Sequence, residues 1–213
     1  MQYFENKNGT PILEGMVGAI QANKDYLSEI DGLIGDGDHG ANMNKGFTMF
    51  KERCLTQEID FTDGLEMLGS VLLEEIGGSM GPIYGTVFMD MADAGDGLEK
   101  IDLPAFSEML SAGFEGLQDI VDAKVGDKTL IDTLSPAVFA LESAKNEGKS
   151  FAEALDDAKN AAKSGQESTE DLVSRVGRSS RLGERSRGVL DPGATSCYLL
   201  LEAMMDQIQK VLV

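Results

Sequence analysis

The chain has 213 residues, 42% of them hydrophobic and 26% charged, with a formal net charge of −19 at pH 7. That balance belongs to a folded globular chain, and the acidity excludes a nucleic-acid binder, which needs a basic face against backbone phosphates. A polyphosphate ligand fits only where divalent cations stand between carboxylates and phosphate oxygens.

Along the chain the hydrophobic spacing is helical almost throughout. The opening MQYFENKNGT has no basic-then-apolar signal region. Ile12, Met16, Ile20 and Leu27 mark one helical face, Met43, Phe47, Phe50 and Cys54 a second, and Leu65, Leu68, Leu72 and Ile76 a third. Further helices are predicted over 82–94, 104–123, 127–146, 150–164 and 192–211. Pro82 and Pro192 each suit a first helical position, and Asp191 suits an N-cap. No period-two strand pattern is present. Segment 166–190 lacks an amphipathic repeat and carries Arg175, Arg178, Arg181, Arg185 and Arg187, so it reads as a long functional loop. The longest apolar runs, such as SCYLLLEAMM, are too short to span a bilayer. Cys54 and Cys197 lie far apart in apolar helical patterns and read as reduced core thiols in a cytoplasmic protein. With no linker and no repeat, the expectation is one all-α domain over 1–213, built of about eight helices.

Three constellations carry chemistry. In LIGDGDHGANMN (33–44), with Asp31 just upstream, Asp31, Asp36 and Asp38 are hard oxygen donors, and Gly35 and Gly37 let the backbone turn so that the three carboxylates converge. So polar a run is expected outside the core; it suits magnesium, and equally a solvated acidic loop. An EF-hand reading fails because the twelfth position from Asp36 is Phe47, where a bidentate glutamate is required. In IGGSMGPIY (76–84), glycines precede a helix start, an arrangement that exposes N–H groups and the positive dipole end to phosphate, or simply makes a tight turn. It matches neither the P-loop nor the dinucleotide-binding glycine pattern. Arg178, Arg181, Arg185 and Arg187, followed by DPGATS, offer planar forks for phosphate oxygens, or pair with surface carboxylates. His39, beside Asp38, is a ligand contact or a polar helix start. With one histidine and no cysteine in a polar segment, hydrolase, thiol-nucleophile and zinc chemistries lack partners.

Together IGDGDHGANMNKGF (34–47), GGSMGPIYGT (77–86), VGDKT (125–129) and GRSSRLGERSRGVLDPGATS (177–196) resemble, in order and spacing, the L subunit or L domain of dihydroxyacetone kinases. The resemblance implies a barrel of eight antiparallel helices holding a nucleotide at one end through two magnesium ions. By position, Asp31, Asp36 and Asp38 would chelate the ions. His39, Gly40, Ala41 and Asn42 would lie beside phosphates and metals. Ser79, Met80, Arg178, Asp191, Pro192 and Gly193 would bind the nucleotide, and Thr129 and Leu130 would meet the nucleoside. The family's reaction transfers a phosphoryl group to dihydroxyacetone, or a related ketose, held by a K subunit. Fused enzymes use exchangeable ATP. Free-standing bacterial L subunits keep ADP bound, an M subunit of the phosphotransferase system recharges it, and the L subunit can also bind a transcriptional regulator. This chain carries no K domain, which favours the second form. It departs from the family pattern in reading GGSMG for GGASG, so that Met80 takes a serine's place, in Val176 for a lysine, in Val121 to Lys124 before VGDKT, and in DTLSP (132–136).

Overall fold

The computed structural model describes residues 2–213. Eight α-helices make up most of it: α1 (Gly9–Ile34), α2 (His39–Cys54), α3 (Phe61–Glu75), α4 (Met80–Ala94), α5 (Leu103–Ile120), α6 (Ile131–Glu147), α7 (Phe151–Ser168) and α8 (Pro192–Val211). Each helix packs on the next, and α8 returns to α1, closing a ring. Successive helices run antiparallel, most of them across short connections and α7 to α8 across the long segment 169–191. The all-α barrel expected from the helical spacing and the family resemblance is therefore the observed fold.

The predicted faces turn inward: Ile12, Met16, Ile20, Phe47, Phe50, Leu65 and Leu68 are at most 1% exposed. The barrel is filled rather than hollow, since the space among Phe88, Leu134 and Leu200 amounts to about 20 Å3, room for one water at most. Cys197 is buried as expected, whereas Cys54 is only half-buried at the end of α2. Among the described residues no helix is long and apolar enough to cross a membrane.

Element boundaries differ from the sequence reading in instructive places. Two strands were not foreseen: β1 (Tyr3–Glu5) pairs antiparallel with β2 (Lys100–Asp102), with Phe4 opposite Ile101. Three residues are too few to display alternation, but both central side chains are fully buried. Pro82 is the third residue of α4, tolerated because a first-turn N–H has no intrahelical partner. Pro192 does open α8, and the Asp191 carboxylate accepts from the Ala194 N–H at 2.7 Å. Helix α5 stops at Ile120 rather than 123. Helix α6 starts at Ile131 rather than 127 because the buried Asp132 carboxylate draws in the N–H groups of Gly126 (2.6 Å) and Thr129 (2.7 Å), folding the preceding residues into a turn. Helix α7 opens on a Ser150–Glu153 capping box and runs four residues past the expected end, into a 3₁₀ turn (Thr169–Asp171). Inside α6, Pro136 cannot donate to the Asp132 carbonyl. Gly165 of α7 packs against that carbonyl so closely that no side chain fits there.

The antiparallel order sorts the connections. Those between α1 and α2, α3 and α4, α5 and α6, and α7 and α8 gather at one end of the barrel, around a cavity. At the other end the strand pair, the Asn6–Thr62 side-chain bond (2.9 Å) and the Thr10–Ile59 bond (2.9 Å) tie the remaining turns together.

Candidate functional site

Because every even-numbered helix starts at the same end, four helix N-termini converge there. The first residues of α2, α4, α6 and α8, namely His39, Met80, Ile131 and Pro192, all line a cavity of about 680 Å3. A helix start presents unpaired N–H groups and a partial positive charge, so this mouth favours an anion despite the chain's acidity. The α4 start has no side-chain cap and follows Gly77 and Gly78, leaving its N–H groups for a ligand.

Opposite stands a carboxylate cluster. Asp31 occupies the last turn of α1 and is buried; Asp36 and Asp38 sit on the connection to α2 and are about half exposed. One oxygen from each lies within 4.8 Å of the other two. The His39 N–H donates to Asp31 Oδ2 at 3.2 Å, which fixes that carboxylate against the start of α2. Three convergent hard oxygens suit magnesium in size and charge. The Arg178 guanidinium pairs with Asp36 and lies 3.9 Å from Asp38, so the arginine loop closes over the same carboxylates. The polar run is thus not wholly outside the core: Asp31 and His39 are buried where α1 and α2 meet.

His39 joins three helices. Its Nε2 lies 2.8 Å from Ser196 Oγ, which is 2.6 Å from the Tyr84 hydroxyl; both hydroxyls reach the Gly193 carbonyl at 3.2 Å. Burial lowers the imidazole pKa to about 4, so the ring is neutral and accepts or donates without carrying charge. Burial drives the Tyr84 phenol well above its ordinary value. Neither group is poised as an acid or base at neutral pH. Burial also raises the Asp191 carboxyl to about 7, against the pull of the Ala194 N–H and of Lys128. Asp191 therefore serves α8 as its cap while bordering the cavity.

Of the residues singled out from the sequence, Asp31, Asp36, Asp38, His39, Asn42, Ser79, Met80, Thr129, Leu130, Arg178, Asp191, Pro192 and Gly193 all line this cavity. Gly40 and Ala41 do not: Gly40 is buried against the α1 backbone at Lys24 and Ser28, and Ala41 is exposed outside the lining. The arginine loop, expected as a long loop without helical repeat, contains a 3₁₀ stretch (Ser179–Ser186). Only Arg178 of its arginines borders the cavity. Sequence reasoning passed over Tyr84 and Ser196, whose meeting spans 112 positions, and Lys128 and Asp132, which shape the turn before α6. VGDKT held the one available signal, a lysine in a polar turn. A second cleft, about 480 Å3, lies at the far end among Asp60, Asp63, Asp96 and Lys100. Of the α-helix starts it is bordered by that of α3 alone, and among the described residues no three of its carboxylates converge.

The DAK2 domain model matches residues 33–206. The chain is 40% identical over 187 residues to the ADP-binding subunit of PEP-dependent dihydroxyacetone kinase 1 from Listeria innocua, covering 87% of this chain and 88% of that one. It is 34% identical over 190 residues to the ADP-binding subunit of the PTS-dependent dihydroxyacetone kinase of Lactococcus lactis, covering 89% and 91%. The fold also matches the crystal structure of the dihydroxyacetone kinase from C. freundii in complex with AMP-PNP and Mg2+, with a TM-score of 0.66, 22% identity and 93% of this chain covered. This chain spans about a third of that longer polypeptide (33%). The four sequence motifs, the eight-helix barrel and these matches agree: the chain belongs to the DAK2 domain family of dihydroxyacetone kinase subunits.

Proposed function

We propose that this chain is the nucleotide-carrying subunit of a phosphotransferase, holding ADP or ATP with magnesium at Asp31, Asp36 and Asp38. It passes a phosphoryl group to dihydroxyacetone, or a related short-chain ketose, held by a K-type subunit. An M-type protein of the phosphotransferase system recharges it in the cytoplasm. The observation that carries this reading is the convergence of three carboxylates, one loop arginine and four helix N-termini on a single cavity. The names of the Listeria and Lactococcus relatives support ADP as the resident nucleotide and a phosphoenolpyruvate-fed system as the donor.

Magnesium, when bound, supplies neutralising charge and alignment of phosphate oxygens. Asp31, Asp36 and Asp38 would hold the magnesium through their convergent oxygens. The rest falls to the chain. Arg178, paired with Asp36 at the cavity, would be placed to donate to a phosphate oxygen. The uncapped start of α4 offers N–H groups, although Met80 contributes a thioether where the family pattern has a hydroxyl donor. Ile83, Val121 and Leu130 form an apolar wall suited to a base. No activated nucleophile borders the cavity, since His39 is neutral and engaged and Ser196 is fully buried. A subunit that positions the donor and leaves the acceptor to a partner needs none.

The test is to purify the chain without added nucleotide, denature it, and identify what is released. Stoichiometric ADP with magnesium, followed by transfer to dihydroxyacetone only when K-type and M-type proteins are present, is the expected result. Reversible ATP binding with turnover independent of an M-type protein would reassign it to the ATP-using form. Nucleotide binding with no transfer to any K-type partner would make it a sensor that reports to a regulator. Absence of binding would sink the proposal.

A further inference from the structure

Lys128 borders the cavity, yet it is only 1% exposed and no ligand role has been given to it. It is also the one non-glycine among the described residues with a positive φ, +64°, a backbone state that a lysine adopts only under the hold of its surroundings. Its ammonium donates to four backbone carbonyls: Ser186 and Val189 at 2.6 Å each, Thr169 at 2.7 Å and Leu172 at 3.2 Å. Thr169 and Leu172 belong to the outgoing limb of the arginine loop, Ser186 and Val189 to the returning limb. Three protons serve the three short bonds, and the fourth carbonyl shares one. The ammonium's partners are therefore carbonyls, with Asp191, Glu170 and Asp171 acting on it only at a distance. The other end of the side chain is rooted in the turn that Asp132 folds, one residue from Thr129 at the cavity.

We propose that Lys128 is a positioning residue: its ammonium is a built-in cation that clamps both limbs of the loop and so holds Arg178 over Asp36 and Asp38. Four carbonyl dipoles converging without a cation repel one another and leave acceptors unpaired in a dry interior. Bonds such as the Ser174 N–H to Ser186 Oγ at 2.9 Å lie within the pinched segment, and besides the clamp the loop is tied to the turn before α6 by the Arg175 N–H donating to the Asp127 carbonyl at 3.2 Å, with the exposed Arg175 side chain 3.8 Å from the Asp127 carboxylate. The consequence for phosphoryl transfer rests on the nucleotide reading above; the clamp itself does not.

The experiment uses the full chain with Lys128→Ala and Lys128→Met. Alanine removes three carbons and the nitrogen, the shape of n-propylammonium, and methionine keeps the bulk without the charge. The first readout is trypsin cleavage between Arg175 and Arg187 without nucleotide. Both variants are expected to be cut roughly tenfold to a hundredfold faster than wild type, the range for lost charge-assisted bonds when cleavage follows local opening. Added n-propylammonium should restore protection to Lys128→Ala, and n-propanol should not. The second readout is magnesium–nucleotide affinity, which should fall in both variants and recover with the amine in Lys128→Ala. A Lys128→Met chain as protected as wild type, or rescue by n-propanol as effective as by the amine, would overturn the clamp. Loss of helical circular dichroism in both variants would also overturn it, by making the ammonium a requirement of the whole barrel. A wild-type chain that binds no nucleotide removes the reading on which the second readout depends, and the proteolysis results still decide the clamp.

Discussion

Replacing Gly40 with alanine tests whether the geometry of the carboxylate cluster depends on how closely α2 approaches α1. An alanine methyl there would sit 2.7 Å from the Ser28 nitrogen and 2.8 Å from its Oγ, and nearer still to the Lys24 carbonyl oxygen. Ordinary contacts begin at 3.4 Å, and the obstacle is helix backbone, which cannot swing aside as a side chain can. Helix α2 must therefore withdraw by on the order of 1 Å, with an overpacking penalty of about 1 to 3 kcal/mol. Its first residues would move with it, lengthening the 3.2 Å bond from the His39 N–H to Asp31 and the 2.8 Å contact with Ser196. The expected outcome in urea denaturation is a lower midpoint with an unchanged slope. Isothermal titration should show weaker magnesium–nucleotide binding, although Gly40 borders no part of the cavity. A variant within about 0.5 kcal/mol of wild type that binds nucleotide equally well would refute the reasoning.

Other outcomes follow from the same geometry. Asp36→Asn should abolish nucleotide retention while helical circular dichroism stays near wild type, since it removes ligand charge from an exposed connection. Arg178→Ala should weaken nucleotide binding or transfer by roughly 1.5 to 3 kcal/mol, as expected for a lost charge-assisted bond, and an unchanged titration would return the residue to the surface. Asp132→Ala strands the N–H groups of Gly126 and Thr129, so a loss of about 2 to 5 kcal/mol in denaturant unfolding is expected. His39 makes stability depend on pH. Its pKa is about 4 folded against 6.5 unfolded, so below 6.5 the unfolded chain gains a proton that the folded ring refuses. Stability is therefore lost as pH falls through that window, by about 3 kcal/mol at its lower end. Asp191 opposes this, because its carboxyl is raised to about 7 and favours the folded state as pH falls. His39→Gln isolates the histidine: the wild type should lose stability relative to the variant on acidification, and parallel curves would contradict the assignment.

The helices were legible because Ile12, Met16 and Ile20, or Leu65, Leu68 and Leu72, repeat often enough to define a face. Residues 3–5 and 100–102 offer no such repeat, and their pairing joins positions nearly a hundred apart. At the site, Asp31, Asp36, Asp38 and Arg178 announced themselves by chemical type within short motifs. Tyr84 and Ser196 did not, since the hydrogen bonds that join them to His39 link α2, α4 and α8 across up to 157 positions. Lys128 drew no notice from the sequence because its partners are backbone carbonyls of the distant loop, which only the fold brings to it. Gly40 belongs to a motif that resembles a ligand loop, while the fold places it in the packing of α2 on α1.

The backbones of Tyr3 and Val213 exchange two hydrogen bonds, 3.3 and 2.9 Å, at the end of the barrel away from the cavity. The helical ring consequently has almost no seam: its covalent order could be re-cut at the Gly148 turn and rejoined across Tyr3 and Val213 with every neighbour relation kept. The opposite rim has no such freedom, because each of its four crossings carries groups that face the cavity. A polypeptide fused at either terminus would trail from the base of the barrel and leave the mouth clear for a second protein to approach.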